Sequence, residues 1–276
     1  MTADADMQAY YSSGREQYRL LEGNHQLELT RTQTLIRRYA TPAPGVVYDI
    51  GGGSGVYAGW LARLGYTVHL VDAVPLHVEQ ARQTSAAQPE HPLASAELGD
   101  ARALTFADAS ADMVLMLGPL YHLTERADRV QAWREARRVL KPGGVVLGAV
   151  ISRFASTLGG LFFDMLNDPA FEAIIRQDLI DGQHRNPTSQ HGYFTTTYFH
   201  RPDEVQAEIE AAGLAHLATL PVEGIGWLTE TTDERSRAEW GDPAKRQRLL
   251  ELVAAVEDEP SLLGMSNHLL GVARRA

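Results

Sequence analysis

Cysteine is absent from this 276-residue chain, and lysine nearly so. Without thiols there is no disulfide, no thiolate metal site and no cysteine nucleophile. The two lysines, Lys141 and Lys245, stand against 23 arginines, a bias that reads as GC-rich codon usage. A basic cluster is also missing. Arg37-Arg38, Arg137-Arg138 and Arg274-Arg275 are isolated pairs, and the net charge is −10 with histidine neutral. A general nucleic-acid binder needs a basic footprint, so RNA and DNA are set aside as partners. No stretch of about 18 apolar residues occurs and no basic–apolar signal opens the chain. These absences point to a cytoplasmic protein with no membrane partner. Hydrophobic residues make up 44% of the chain, enough to bury a large α/β core.

The most informative stretch present is Val46-Val47-Tyr48-Asp49-Ile50-Gly51-Gly52-Gly53-Ser54-Gly55. An apolar run that breaks into glycines predicts a buried strand turning sharply into a helix. Glycine serves where the backbone takes positive φ or where a ligand approaches the main chain closely. Strand, glycine turn and helix N-terminus together make a nucleotide-sized site at the carboxyl edge of a parallel sheet. The dinucleotide fingerprint Gly-x-Gly-x-x-Gly is incomplete, because Val56 occupies its third glycine position. The spacing present is Asp49-x-Gly51-x-Gly53-x-Gly55.

Further strands follow in order. Residues 67–71 read as a second strand ending at Asp72, a carboxylate about 20 residues past the glycines that suits a ribose diol in either nucleotide class. Glu97-Leu98-Gly99-Asp100-Ala101 ends a third strand, and residues 112–117 form a fourth, closing at Leu117 and running into Gly118-Pro119-Leu120-Tyr121-His122. An amphipathic helix spans about 124–140, with Val130, Trp133, Ala136, Arg137 and Leu140 near one face. Leu140-Lys141-Pro142-Gly143-Gly144 then stops the helix and turns the chain into an apolar strand over 145–151.

The acidic-edged glycine loop, Asp72, Gly99-Asp100 and Lys141-Pro142-Gly143-Gly144 together resemble the class I S-adenosylmethionine (SAM)-dependent methyltransferases over roughly residues 40–152. The resemblance implies an α/β fold: a Rossmann-like, seven-stranded, mostly parallel sheet with helices on both faces and an antiparallel C-terminal hairpin. It implies SAM as cofactor, bound by Asp49, Gly51, Gly53, Gly55, Asp72, Asp100, Ala101 and Leu117. In this family Asp100 stands where an acid binds the adenine amino group. The activity implied is methyl transfer to an O or N atom of a small molecule. A non-catalytic binder of SAM or S-adenosylhomocysteine and an NAD(P)-dependent oxidoreductase are the alternatives.

Around this core the sequence divides into residues 1–40, a helical lid; 41–152, the SAM-binding core; 153–200, an insertion expected to cap the substrate mouth; and 201–276, the end of the core with an inserted helix near 243–256. A connection of nearly fifty residues is usually functional. Candidate acceptor contacts are Tyr11, Arg15 and Tyr18 in the first segment, Tyr121 after the fourth strand, Arg153 and His191. Arg153 reads either as a fork for a carboxylate or as a strand-end cap. His122 is the candidate general base, since imidazole titrates near neutral pH; the other reading is a loop histidine that bonds the main chain and orders the cofactor edge. His184, His191 and His200 match no compact zinc spacing, so no metal is expected.

Overall fold

The computed structural model describes residues 3–23, 25–188, 190–229 and 240–276. Its centre is a sheet of nine strands: β1 (Val46–Ile50), β2 (Thr67–Asp72), β3 (Ser95–Leu98), β4 (Ala111–Met116), β5 (Leu140–Ser152), β6 (Gln183–His184), β7 (Thr197–His200), β8 (Ala215–Pro221) and β9 (His268–Arg274). The continuous order is β3-β2-β1-β4-β5-β9-β8, with only β9 running antiparallel to its neighbours. Two strands exceed the seven expected, and both come from the 153–200 insertion. The end of β5 outruns β4, and β7 pairs with it in parallel at Ile151↔Phe199 and Ser152↔His200. β6 then adds antiparallel to β7.

Side chains alternate across this sheet as the two-residue period of a strand requires. Val47, Leu70, Met113, Leu115, Leu147 and Leu270 face one helical layer; Tyr48, Ile50, Val114, Met116, Val146 and Leu269 face the other. The first layer is α2 (His25–Tyr39), α3 (Val56–Arg63) and α4 (Pro75–Ala86), which add Leu35, Ile36, Leu61 and Val78. On the opposite face lie α6 (Arg126–Val139) and α9 (Pro202–Ala211), with Trp133, Ala136, Val205 and Ile209. In α6 the inward residue is Val139; Arg137, expected on that face, is exposed. Trp133 fits because Gly148 and Gly271 leave room beneath it: a Cβ on Gly148 would lie 2.5 Å from its ring.

Helix starts follow local chemistry. Proline opens α4, α8 (Pro169–Asp181), α9 and α10 (Pro243–Ala255), where its missing N–H is not needed. Asp168 and Asp242 cap α8 and α10 by accepting main-chain N–H groups. The Lys141–Gly144 turn lies inside β5, and Lys141 pairs with Asp112 at 2.8 Å, a structural role. The C-terminal part expected over 201–276 includes residues 230–239, which lie outside those described. Among the described residues no helix is long and apolar enough to cross a membrane.

The first forty residues form α1 (Ala3–Tyr11), a 3-10 segment (Arg15–Leu21) and α2. The 3-10 segment sits on the glycine turn: Ser54 Oγ donates to the Gln17 carbonyl at 3.2 Å. α1 meets both α5 (Pro119–His122) and the insertion, in which α7 (Ala155–Phe162) precedes α8. Thr196 donates to Asp6 at 2.8 Å, and the His191 ring stacks on Tyr10 with centroids 4.0 Å apart.

Candidate active site

The loops that follow the parallel strands converge on one cavity of about 390 Å³. It runs along the carboxyl edge of the sheet, where an open α/β sheet binds ligands. Asp72, Asp100, Ala101 and Arg102 line one end, residues 51–54 and Leu117 the middle, and Tyr121, His122, Ala149, Val222, Glu28 and His268 the rest. Met7, Gln8, Tyr11, Gln17, Arg19 and Leu20 close it from the N-terminal side.

Gly51, Gly53 and Gly55 all have positive φ, at 69°, 57° and 84°. Their reasons differ. A Cβ on Gly51 would lie 2.6 Å from Pro119, so the glycine permits the β1 and β4 loops to touch. A Cβ on Gly53 would meet nothing within 4 Å, and its N–H donates to Asp72 Oδ2 at 2.8 Å. Gly53 therefore leaves open space for a ligand, whereas Gly51 and Gly55 shape the turn. Asp72 is fixed by that bond and by the Val74 N–H (2.9 Å) and His77 Nδ1 (3.1 Å) on its other oxygen. Oδ2, with one donor, keeps capacity for a sugar hydroxyl.

Asp49 lies beneath the turn with 0% exposure, and neither carboxylate oxygen has a hydrogen-bond partner. Burial first, and the charge of Asp72 second, raise its pKa to about 7, while the main chain at Ala58 opposes them in smaller measure. A buried acid left without a counter-charge suits a ligand that brings a cation. Asp100 lines the cavity, but its carboxylate is forked by Arg102 at 2.6–3.1 Å, and Arg102 reaches Asp128 at 2.7 Å. The Arg102 hydrogen bonds hold the Asp100 pKa below its usual range, so it remains an anionic acceptor on the cavity wall. Ala101 and Leu117 supply apolar walls.

His122 and Tyr121 stand side by side in α5, ring centroids 4.7 Å apart. His122 Nε2 lies 2.9 Å from the Tyr11 hydroxyl. Burial lowers the His122 pKa to about 4, against the attraction of Asp72, so the ring is neutral near pH 7.

Of the remaining sequence candidates, Tyr11 and Tyr121 line the cavity; Arg153, His191 and Tyr18 do not. Arg153 is buried and held by protein: Nε donates to the Phe199 carbonyl at 2.7 Å, and the guanidinium meets Tyr198 and Glu204 at 3.1–3.2 Å. It fastens β7 to the end of β5, so neither the substrate fork nor an exposed strand-end cap describes it. His191 packs on α1 from outside the cavity, and Tyr18 is 58% exposed. The Arg15 side chain lies outside the described residues. Among the described residues no lining residue comes from 153–200; that insertion buttresses α1 and α5 instead of facing the cavity. His184 is held between Asp178 and the Tyr193 carbonyl, and His200 beside Glu208, so neither is open to a ligand.

Sequence reasoning missed the far end of the cavity. Glu28, Glu223 and His268 bring ligand-type atoms within 4.8 Å of one another, from α2, the turn after β8 and the start of β9. They are 195 and 45 residues apart, and no spacing in the chain announces them. Arg19 forks onto Glu28 at 2.7 and 3.1 Å.

Residues 48–148 match the methyltransferase domain family. A stretch of 114 residues is 36% identical to methyltransferase GfsG of Streptomyces halstedii, spanning 41% of this chain and 40% of that protein. The chain thus spans less than half the length of this curated relative. Among solved structures, a SAM-dependent methyltransferase from Mesorhizobium loti superposes with a TM-score of 0.59 at 18% identity, covering 90% of this chain and all of the other. One from Methanosarcina mazei gives 0.53 at 18%, covering 87% and 96%. The strand order and the glycine cradle agree with these likenesses. Residues 48–148 thus carry a methyltransferase domain, and the fold is that of the SAM-dependent methyltransferase family. SAM is the cofactor of that family, and the residues here fit it: an orphaned buried acid for its cationic end, open space at Gly53, and acids at the ribose and adenine positions.

Proposed function

We propose that the protein transfers the methyl group of SAM to an O or N atom of a small molecule, by direct displacement. The supporting observation is the cavity that runs from Asp72 and Asp100 to His268 and is lined by α1 and the 3-10 segment. Its volume is of the size that holds small ligands, roughly 300–1,000 Å³. The acidic net charge favours the same substrate class, in a cytoplasmic setting.

In this reading the turn at residues 51–55 and Asp49 hold the methionine part, Asp72 the ribose, and Asp100, Ala101 and Leu117 the adenine. SAM when bound supplies an electrophilic methyl. The protein's contribution is to exclude water and to align the acceptor, which carries much of the rate in a displacement at carbon. Tyr11 and Tyr121 sit where an acceptor enters.

Two measurements test this. Thermal shift with SAM, S-adenosylhomocysteine and NAD should show stabilisation by the first two only; ligand at 100 times its dissociation constant contributes about 2.7 kcal/mol. Transfer from labelled SAM is then followed to phenol, catechol, glucose, benzylamine and histamine. Binding with no transfer to any of them would favour a non-catalytic SAM binder, and a shift with NAD alone would refute the cofactor.

A further inference from the structure

We infer that His268 and Glu223 form a proton-accepting dyad at the far end of the cavity, serving a hydroxyl acceptor; the inference rests on the methyltransferase reading above. The two residues meet because β8 and β9 are paired neighbours: Pro221 is opposite Leu269, which leaves Glu223 just past the end of β8 and His268 at the start of β9. Both therefore reach the carboxyl edge of the sheet. Glu223 is 1% exposed, with Oε1 2.6 Å from His268 Nδ1. Its Oε2 accepts from the His268 main-chain N–H at 2.9 Å and from Ser266 Oγ at 2.8 Å. Three donors thus fix the carboxylate, and the carboxylate fixes the ring. With Nδ1–H committed to Glu223, the lone pair of the neutral imidazole is on Nε2, and the ring lines the cavity.

The position suits an acceptor. The cofactor residues occupy the loops after β1, β2 and β3. His268 opens β9, two strand spacings beyond β4, or about 10 Å. Tyr121 lies between, its ring centroid 6.5 Å from that of His268. A buried carboxylate behind an imidazole sets its tautomer and stabilises the imidazolium that forms. His122, the candidate from sequence, lacks both features: its Nε2 faces the Tyr11 hydroxyl, and among the described residues no carboxylate is bonded to the ring.

Groups from every side bear on His268: Glu223 after β8, Glu28 on α2, Arg19 on the 3-10 segment and Tyr121 on α5. Burial depresses its pKa, but Glu223 and Glu28 outweigh burial and Arg19, and the net shift is upward. The group of Glu28, Glu223 and His268 is close enough to suggest a cation site. Arg19 already neutralises Glu28, and Glu223 is saturated by donors, so the cluster is satisfied within the protein.

SAM supplies the methyl: the acceptor oxygen bonds to it as the C–S bond breaks and the pair passes to sulfur. The hydroxyl proton goes to His268 Nε2. A sulfonium charge is thereby exchanged for an imidazolium charge held against Glu223, and the net charge of the site is constant through the step.

The test uses the full chain, labelled with ¹⁵N-histidine and saturated with S-adenosylhomocysteine. His268 should carry its proton on Nδ1 when neutral and titrate above its usual 6.5. In Glu223→Gln the midpoint should fall by one unit or more. His268→Gln and Glu223→Gln should bind S-adenosylhomocysteine within twofold of wild type, while His268→Gln lowers transfer to phenol or catechol by about 10²–10⁴-fold. A proton on Nε2, an unmoved midpoint, tenfold weaker cofactor binding in His268→Gln, wild-type transfer to the amines alone, or tight zinc binding lost in His268→Gln would each overturn the dyad. Failure of the wild type to bind S-adenosylhomocysteine, or to methylate any of the five acceptors, sinks the methyltransferase reading instead. The wild-type tautomer needs no variant, so a misfolded substitution does not protect the proposal.

Discussion

The Tyr11 hydroxyl stands 2.9 Å from His122 Nε2, so a residue of the first helix is bonded to the loop that follows β4. This bond crosses the mouth of the cavity. His191 stacked on Tyr10 and Thr196 bonded to Asp6 hold the same helix from its outer side. Opening α1 requires all three contacts to part.

Tyr11→Phe removes the bond and keeps the ring. A net hydrogen bond contributes about 0.5–1.5 kcal/mol. S-adenosylhomocysteine should leave about two- to tenfold faster by stopped flow, with its association rate little changed. An unchanged release rate would show that α1 does not gate the cavity.

Asp49 gives the stability a pH dependence of unusual sign for an aspartate. Its folded pKa is about 7 against 3.8 for an ordinary aspartate. The unfolded chain releases this proton first, so stability from Asp49 is full below pH 3.8 and is lost as pH rises to 7. Asp49→Asn should flatten that loss and make the cofactor-free protein more stable at pH 8 in urea melts. The same change should weaken SAM binding at pH 8 several-fold, because the anion that meets the cation is gone. Equal pH profiles for both proteins would remove Asp49 from this role.

Gly51 and Gly53 separate folding from binding. Alanine at Gly51 meets Pro119 at 2.6 Å in addition to its positive φ. Gly51→Ala should lose about 2–4 kcal/mol, combining overpacking with left-handed strain. Gly53→Ala adds only the strain, about 1–2 kcal/mol, yet places a methyl in the open cradle. Calorimetry should show the larger loss of SAM affinity per unit of lost stability in Gly53→Ala.

Arg153→Ala should leave SAM affinity within twofold and lower stability by about 2–3 kcal/mol. It strands the buried Phe199 carbonyl, while Glu204, a third exposed, is partly solvated. A urea midpoint that does not move, or a loss confined to turnover, would return Arg153 to the substrate.

Local sequence carried the cofactor half of this protein. An apolar run, glycines at spacing two, an acid at the end of the next strand and a Lys-Pro-Gly-Gly turn are each written within a few neighbouring residues, so β1, the glycine turn, Asp72 and Asp100 could be placed before any coordinates. The inserted helix that opens on Pro243 was legible for the same reason, and the antiparallel C-terminal hairpin followed from the family resemblance. The two added strands were not, because β6 and β7 have only two and four residues and exist by pairing with one another and with the overhang of β5.

What tertiary structure alone decided is which polar side chains face the cavity. Arg153 and His191 read as substrate groups because they lie near the right strand or loop, but burial against β7 claims one and stacking on Tyr10 claims the other. His268 carried no local signal. Its chemistry comes from Glu223, which is 45 residues away along the chain and reaches it only through the antiparallel register of β8 on β9. A motif is a short-range pattern and survives reading in one dimension; a proton relay built across two strands depends on long-range pairing and does not.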